Sequence, residues 1–285
     1  MISDSQIDFY RDNGYLVIAD VLDEVTLARL RSKVEELVAA SATVTSNDIL
    51  YDLEDDHSTA VPRVRRLKSP DNHEELFAAL RAQTQVVATL ETLWGTGVRY
   101  DKAKLNMKDA GGGAAVEWHQ DWAFYPHTND DLAAVGFMLD DVDLHNGPMM
   151  VLPGSHKGPV YDHHANGSFC GAIDTAAQGL DPSGAVPLTG KAGSITIHHV
   201  RMVHGSAANT SGGPRRFLLH QYCAADACPI GEFLDYETYL QTLVSGDAVL
   251  TPRLSAVPVR LPLPPAPDQG SIYENQRALG GRYFG

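Results

Sequence analysis

The chain has 285 residues, 44% of them hydrophobic, which is enough for a sizeable core and excludes wholesale disorder. Its 36 acidic and 22 basic side chains leave a formal charge of −14, which repels a phosphate backbone and disfavours a nucleic-acid binder. Three cysteines (Cys170, Cys223 and Cys228) are too few for a disulfide scaffold, and the start shows neither a basic nor an apolar leader. No apolar run reaches the roughly 18 residues of a membrane helix, so a cytoplasmic protein with no membrane association is expected.

In chain order, Ser3 followed by Gln6 reads as a capping box that opens a short helix through about Asp12. Asn13-Gly14 stops that helix, and Tyr15-Leu16-Val17-Ile18 follows as a strand. Leu27, Leu30, Val34 and Leu37 recur at three- and four-residue steps, the stripe of a helix from about Asp23 to Ala40. Residues 41–70 are polar and carry the acidic run Asp52-Glu54-Asp55-Asp56, so an irregular excursion is expected there. The acidic run reads as a solvated loop, or as a lure for a cationic substrate. A third helix is expected from about Asn72 to Trp94. Beyond Val98 the pattern changes to short apolar or alternating runs punctuated by Gly, Pro and Asn. These predict strands at 99–108, 115–119, 133–140, 148–153, 193–199 and 216–223. There is no parallel βαβ rhythm. A mainly β fold with a helical cover is expected, as one domain over 1–285: the cover about 1–95, a β core about 96–250, and an extended Pro-rich segment 251–285. Residues 41–70 and 158–190 are where a lid would sit.

The stretch Glu117-Trp118-His119-Gln120-Asp121-Trp122 carries the most chemistry. On a strand, residues i and i+2 share a face, so His119 and Asp121 can aim into one cavity while Gln120 points away to orient a neighbour. Imidazole plus carboxylate is two-thirds of the two-His-one-carboxylate triad that holds non-haem Fe(II) with open positions. The third ligand should be a distant histidine, and His204 in His204-Gly205-Ser206 is the strongest candidate. Downstream, Arg215-Arg216 offers a guanidinium that can clamp the far carboxylate of a dicarboxylate co-substrate. His127, His163, His164, His198 and His199 are weaker candidates as ligands, and His198 and His199 should straddle the two faces of a strand. Cys223 and Cys228 lack the second pair that a zinc site needs. Gly111-Gly112-Gly113 has no following Lys-Ser/Thr and reads as a hairpin, not a phosphate loop. About half of Trp118, Trp122, Phe124 and Tyr125 should line a substrate pocket, and the rest should pack the core.

Several motifs occur in the same order as in a known family. Lys104-Leu105-Asn106-Met107-Lys108, His119-Gln120-Asp121, Asn146-Gly147-Pro148, Pro153-Gly154-Ser155-His156-Lys157-Gly158, His204-Gly205-Ser206 and Arg215 together resemble the phytanoyl-CoA dioxygenase family. Gly14 to Val17 also fits. That resemblance implies a double-stranded β-helix (jelly-roll, cupin-like) core and an Fe(II)- and 2-oxoglutarate-dependent oxygenase. It assigns His119, Asp121 and His204 to iron, and Arg215 to the 2-oxoglutarate C5 carboxylate. By strand alternation only one of Arg215 and Arg216 can face the pocket. Ser206 and Asn106 match co-substrate hydrogen-bonding positions, and Phe137 an aromatic wall beside them. The implied reaction consumes O2, most simply hydroxylating an unactivated C–H bond of a small metabolite or natural-product intermediate, with release of succinate and CO2. Desaturation, ring closure and epimerisation are alternatives. The carboxylate of Asp121 argues against halogenation. No basic cluster stands out for an acyl-CoA, so a small polar or amine-bearing substrate is expected. The competing readings are a cupin-type metalloenzyme that does not use 2-oxoglutarate, and a non-catalytic jelly-roll binding protein.

Overall fold

A computed structural model describes residues 1–231, 235–261, 263–265 and 270–284; Pro262 of the Pro-rich run and residues 266–269 and 285 of the C-terminal segment lie outside them. Helix α1 (Asp4–Asn13) opens on both halves of the Ser3–Gln6 capping box and ends at Gly14, whose left-handed φ of 81° lets the chain turn directly into β1 (Tyr15–Ile18). Helix α2 (Glu24–Ala40) is capped by the Asp23 carboxylate and buries Leu27, Leu30, Val34 and Leu37. Each of those side chains contributes roughly 1.5–3 kcal/mol on leaving water.

The polar excursion is where expectation and structure part. It contains two strands, β2 (Tyr51–Leu53) and β3 (Val64–Lys68), paired antiparallel. Tyr51, Leu53, Val64 and Leu67 are buried, but the charges between them hide the apolar alternation. Those charges neutralise one another: Arg63 meets Asp56, Arg65 meets Glu54 and Asp55, and Asp52 is shared by Arg66 and Lys68. Asp52 and Glu54 are thus drawn inside by their partners, while Asp55 and Asp56 sit in an exposed turn, the solvated part of the expected loop. The third helix is also broken, into α3 (Glu75–Ala78), a 3-10 turn, and α4 (Thr84–Trp94). Gln83 leaves helical geometry at ψ 119° and caps the second piece through its side chain.

The remaining elements are β4 (Val98–Lys108), β5 (Val116–His119), β6 (Leu132–Met138), β7 (Met149–Val151), the small hairpin β8 (His164–Ala165) and β9 (Ser168–Phe169), β10 (Val186–Leu188), β11 (Ile195–His199), β12 (His204–Ser206), β13 (Arg215–Ala224), α5 (Tyr236–Thr242), β14 (Leu243–Ser245) and α6 (Ile272–Asn275). They form a major sheet in the order β1-β11-β6-β13-β4-β3-β2, with β14 also on β4, and a minor sheet in the order β10-β7-β12-β5. All of these pairings are antiparallel. The two sheets make the jelly-roll that the resemblance implies.

Alternation along the major strands sorts the side chains. Ala103, Leu105, Met107, Val135, Phe137, Ile197, Leu218 and Tyr222 join Leu27, Leu30 and Leu90 in a core beneath the helices. Ala134, Met138, Phe217 and Leu219 face the other way, packing on Met149, Val151 and Leu188 of the minor sheet. One sheet face thus serves stability, and the opposite face lines the space between the sheets. No helix among the described residues is long and apolar enough to cross a membrane.

Candidate metal centre and cavity

His119 ends β5 and His204 opens β12, and the two are register partners across the minor sheet, with ring centroids 4.0 Å apart. Each imidazole is fixed by the carbonyl two residues before it: Nδ1–H of His119 donates to the Glu117 carbonyl at 2.8 Å, and that of His204 to the Met202 carbonyl at 2.9 Å. Both Nε2 lone pairs are then free for a metal. Asp121 lies just past the strand, at the first residue of a 3-10 turn, rather than within the strand itself. Its Oδ1 is nonetheless 3.9 Å from His119 Nε2, and one ligand atom from each of His119, Asp121 and His204 lies within 4.8 Å of the others. Burial pushes His119 down to about 4 and His204 well below the usual imidazole range, so both are neutral ligands. Burial alone would raise the Asp121 carboxyl, but Lys104 and His198 outweigh it and hold it well below the usual carboxylate range. Neutral imidazoles and an ionised carboxylate are the donor set that a divalent iron takes.

Beside the triad, a cavity of about 50 Å³ runs between the sheets, lined by Asn106, Ser206, Arg215, Phe217 and Tyr273. Arg215 is only 3% exposed. Its Nε and Nη2 both donate to the Gly147 carbonyl, at 3.2 and 2.6 Å, and among the described residues no carboxylate pairs with it. Burial lowers its guanidinium to about 10. Its register partner Lys108, 1% exposed, donates from Nζ to Ser206 Oγ at 2.9 Å and to the Ala207 carbonyl. Burial, then repulsion from Arg215, pulls Lys108 well below the usual ammonium range. A buried guanidinium that has no carboxylate partner among the described residues, beside a buried amine donor, makes a site for an anion. The Asn106 amide oxygen and the Tyr273 hydroxyl are buried there without a partner. Arg216 faces the opposite way, where it grips Asp140 through its backbone N–H, Nε and Nη2 at 2.8, 2.9 and 2.6 Å.

Sequence reasoning misplaced Phe137. It sits in the core beneath the helices, edge-on to His220 at 5.3 Å, because odd positions of β6 face away from the cavity. The aromatic at the site is Phe217, two residues after Arg215 on β13 and so on the same face. It fits because residue 136 is glycine: a Cβ there would meet the Phe217 ring at 2.1 Å. Lys108, at period two from Asn106, was legible by the same rule. Tyr273 and Ile272 come from α6, far along the chain, where no motif announced them.

Of the four aromatics around the metal motif, Phe124 and Tyr125 line a wider mouth of about 370 Å³, while Trp118 and Trp122 pack in apolar clusters. His198 lies on the cavity side, its Nε2 3.5 Å from Asp121 Oδ2, and His199 approaches Asp130 at 4.0 Å. His163 Nε2 accepts from the Gln120 backbone N–H, so it is not a ligand. The Gln120 side chain bonds Pro159, Arg201 and Tyr161, away from the metal site. The basic cluster judged absent from the sequence is present in space: Arg66, Lys68, Lys102 and Lys104 share the mouth.

Residues 10–217 match the phytanoyl-CoA dioxygenase (PhyH) family. The chain belongs to the phytanoyl-CoA dioxygenase family. Among curated family relatives, a probable alpha-ketoglutarate-dependent hypophosphite dioxygenase from Stutzerimonas stutzeri is 38% identical, with 96% of this chain and 97% of that protein covered. The L-proline trans-4-hydroxylase of Streptomyces griseoviridis is 31% identical over 77% of this chain and 85% of its own. Among solved structures, EctD from S. alaskensis with bound Fe superposes with a TM-score of 0.67 at 22% identity, over 88% of this chain and 87% of that one, which shows the shared fold.

Proposed function

We propose that the chain is an Fe(II)- and 2-oxoglutarate-dependent dioxygenase in which His119, Asp121 and His204 hold the iron and Arg215 binds the far carboxylate of 2-oxoglutarate. The observation that carries this reading is the adjacency of two features: a converging His-Asp-His set and, in the same cavity, a buried guanidinium with no carboxylate of its own. A bidentate carboxylate on Arg215 would remove the cost of burying that charge. Ser206, held by Lys108, and Asn106 can hydrogen-bond the co-substrate, and the unpartnered Tyr273 hydroxyl lies on the same wall.

The chain's own residues bind and orient. The Glu117 and Met202 carbonyls fix the tautomers of His119 and His204, and Lys104 and His198 keep Asp121 ionised. Phe217 and Leu219 keep water from the inner end of the cavity. Bound iron supplies the O2 chemistry that couples oxidative decarboxylation of 2-oxoglutarate to oxygenation of a substrate, one oxygen atom entering succinate and the other the substrate, with CO2 released. A small-molecule substrate and hydroxylation as the outcome are supported by the relatives named for hypophosphite, L-proline and ectoine. The buried Arg215 guanidinium speaks against a cupin-type enzyme without 2-oxoglutarate, and the complete triad against a non-catalytic binding protein. Three unbridged cysteines suit the cytoplasm.

The test is anaerobic titration with Fe(II) and then 2-oxoglutarate, following the visible charge-transfer band of the chelate. The band should form in the native protein and be lost in His119→Ala. Iron binding without the band would favour the cupin reading, and failure to bind either would leave a scaffold.

A further inference from the structure

The mouth of the cavity carries positive charge beyond Arg215, and two of its cations, Arg66 and Lys104, also border the inner cavity, where Lys104 helps keep Asp121 ionised. Arg66, Lys68, Lys102 and Lys104 line the mouth together with His119 and Asp121. Two of these cations share one carboxylate: Asp52 pairs with Arg66 and lies 3.2 Å from Lys68. Lys102 has its own partner, Asp101, at 3.4 Å. Lys104 has none. No ion pair forms at its Nζ within 4.0 Å among the described residues; burial, with Arg66 and Lys102, lowers its ammonium, and the nearby Asp121 carboxylate works against that.

On the oxygenase reading, a metal dication, the Asp121 carboxylate, the dianionic co-substrate and Arg215 cancel. That leaves Lys104 uncompensated next to the reacting centre and one further positive charge on the Arg66–Lys68–Asp52 group behind it. A half-buried ammonium at a partly open mouth attracts a counter-ion more strongly than one fully in water. The opposite wall, Phe124, Tyr125 and Ile272, is apolar or aromatic and offers no second carboxylate. Gln221 Nε2 donates to the Tyr125 hydroxyl, which in turn bonds the Asp121 carboxylate. Such a space selects against amines, and its volume of about 370 Å³ accommodates a small molecule.

We propose that this mouth is the substrate site and that it takes a small oxyanion, a carboxylate or a phosphorus oxyacid, bound by Lys104 with Arg66 beside it. This rests on the oxygenase reading above and specifies its substrate class. The arrangement puts the anionic head on the β3–β4 side, so the bond to be oxidised is one near the head group, within reach of the metal site that Lys104 flanks.

The experiment uses the protein loaded anaerobically with Fe(II) and 2-oxoglutarate. Propionate, ethylphosphonate and hypophosphite are titrated against the chelate band, with propylamine and propan-1-ol as matched cation and neutral. The anions should perturb the band and, in air, stimulate succinate release, while the amine and alcohol do neither. Whichever of propionate and the phosphorus oxyacids binds more tightly identifies the head group. Lys104→Gln should weaken anion binding about 10- to 100-fold, and Lys104→Arg should restore most of it. The band itself, recorded in each variant, reports folding and co-substrate binding separately. Absence of the band in the native protein would overturn the oxygenase reading and this proposal with it. A normal band perturbed by the amine or alcohol but not by the anions, or anion binding indifferent to Lys104→Gln, would overturn this proposal alone.

Discussion

The inner end of the cavity and its mouth are both basic, yet they hold their charge in different ways. Inside, Arg215 and Lys108 are sealed between the sheets and tied to the carbonyls of Gly147 and Ala207, and no carboxylate among the described residues pairs with either. At the mouth, Arg66 and Lys68 share Asp52 and are partly exposed, and Lys104 makes no ion pair among the described residues, with Asp121 the carboxylate that acts on it. A sealed, rigid pair of basic groups suits a ligand that is the same in every turnover. A looser and partly compensated set suits one that must enter, differ in shape and leave.

The comparison breaks most completely at the metal set between the two ends. Asp121→Ala should abolish iron binding and reduce turnover to background, as read by metal content and succinate release, because two neutral imidazoles alone lack the anionic donor. Next in size is the inner end. Arg215→Ala should raise the KM for 2-oxoglutarate about 30-fold or more, since truncating one partner of a buried charge pair costs about 2–5 kcal/mol. Arg216→Ala should leave that KM within about twofold, and the reverse pattern would move the clamp to the neighbouring residue. Phe137→Ala separates fold from site: it should lower unfolding free energy by about 3–5 kcal/mol in denaturant titration while the KM for 2-oxoglutarate holds. The smallest effect is the sharpest probe. Tyr273→Phe removes only a hydroxyl and should raise the same KM about 2- to 10-fold, with little change in Tm.

Much of this was legible in the sequence, and the reason is periodicity. A strand shows every second residue to one face, so His119 implied Asp121 as a partner, Arg215 excluded Arg216, and the helical stripe of Leu27, Leu30, Val34 and Leu37 stood out. The same rule, applied from Arg215 rather than by likeness, would have chosen Phe217 over Phe137. What was hidden is of a different kind. Strands β2 and β3 are masked by charges that cancel only after folding, and the basic mouth gathers Arg66, Lys68, Lys102 and Lys104 from two strands. The helix that supplies Tyr273 lies beyond the matched residues 10–217, and its place depends on contacts such as Arg65–Glu274 and Arg277–Asp55, which no local pattern encodes.

The glycine at 136 has a consequence for how this sequence can vary. The volume it leaves empty is filled by the Phe217 ring, so the two positions, on neighbouring strands, draw on a single allotment of space. A larger residue at 136 is tolerable only with a smaller one at 217, and such an exchange would reshape the wall beside Arg215 without altering any polar group. Across descendants of this chain the pair should therefore be inherited together, and either change alone should be purged.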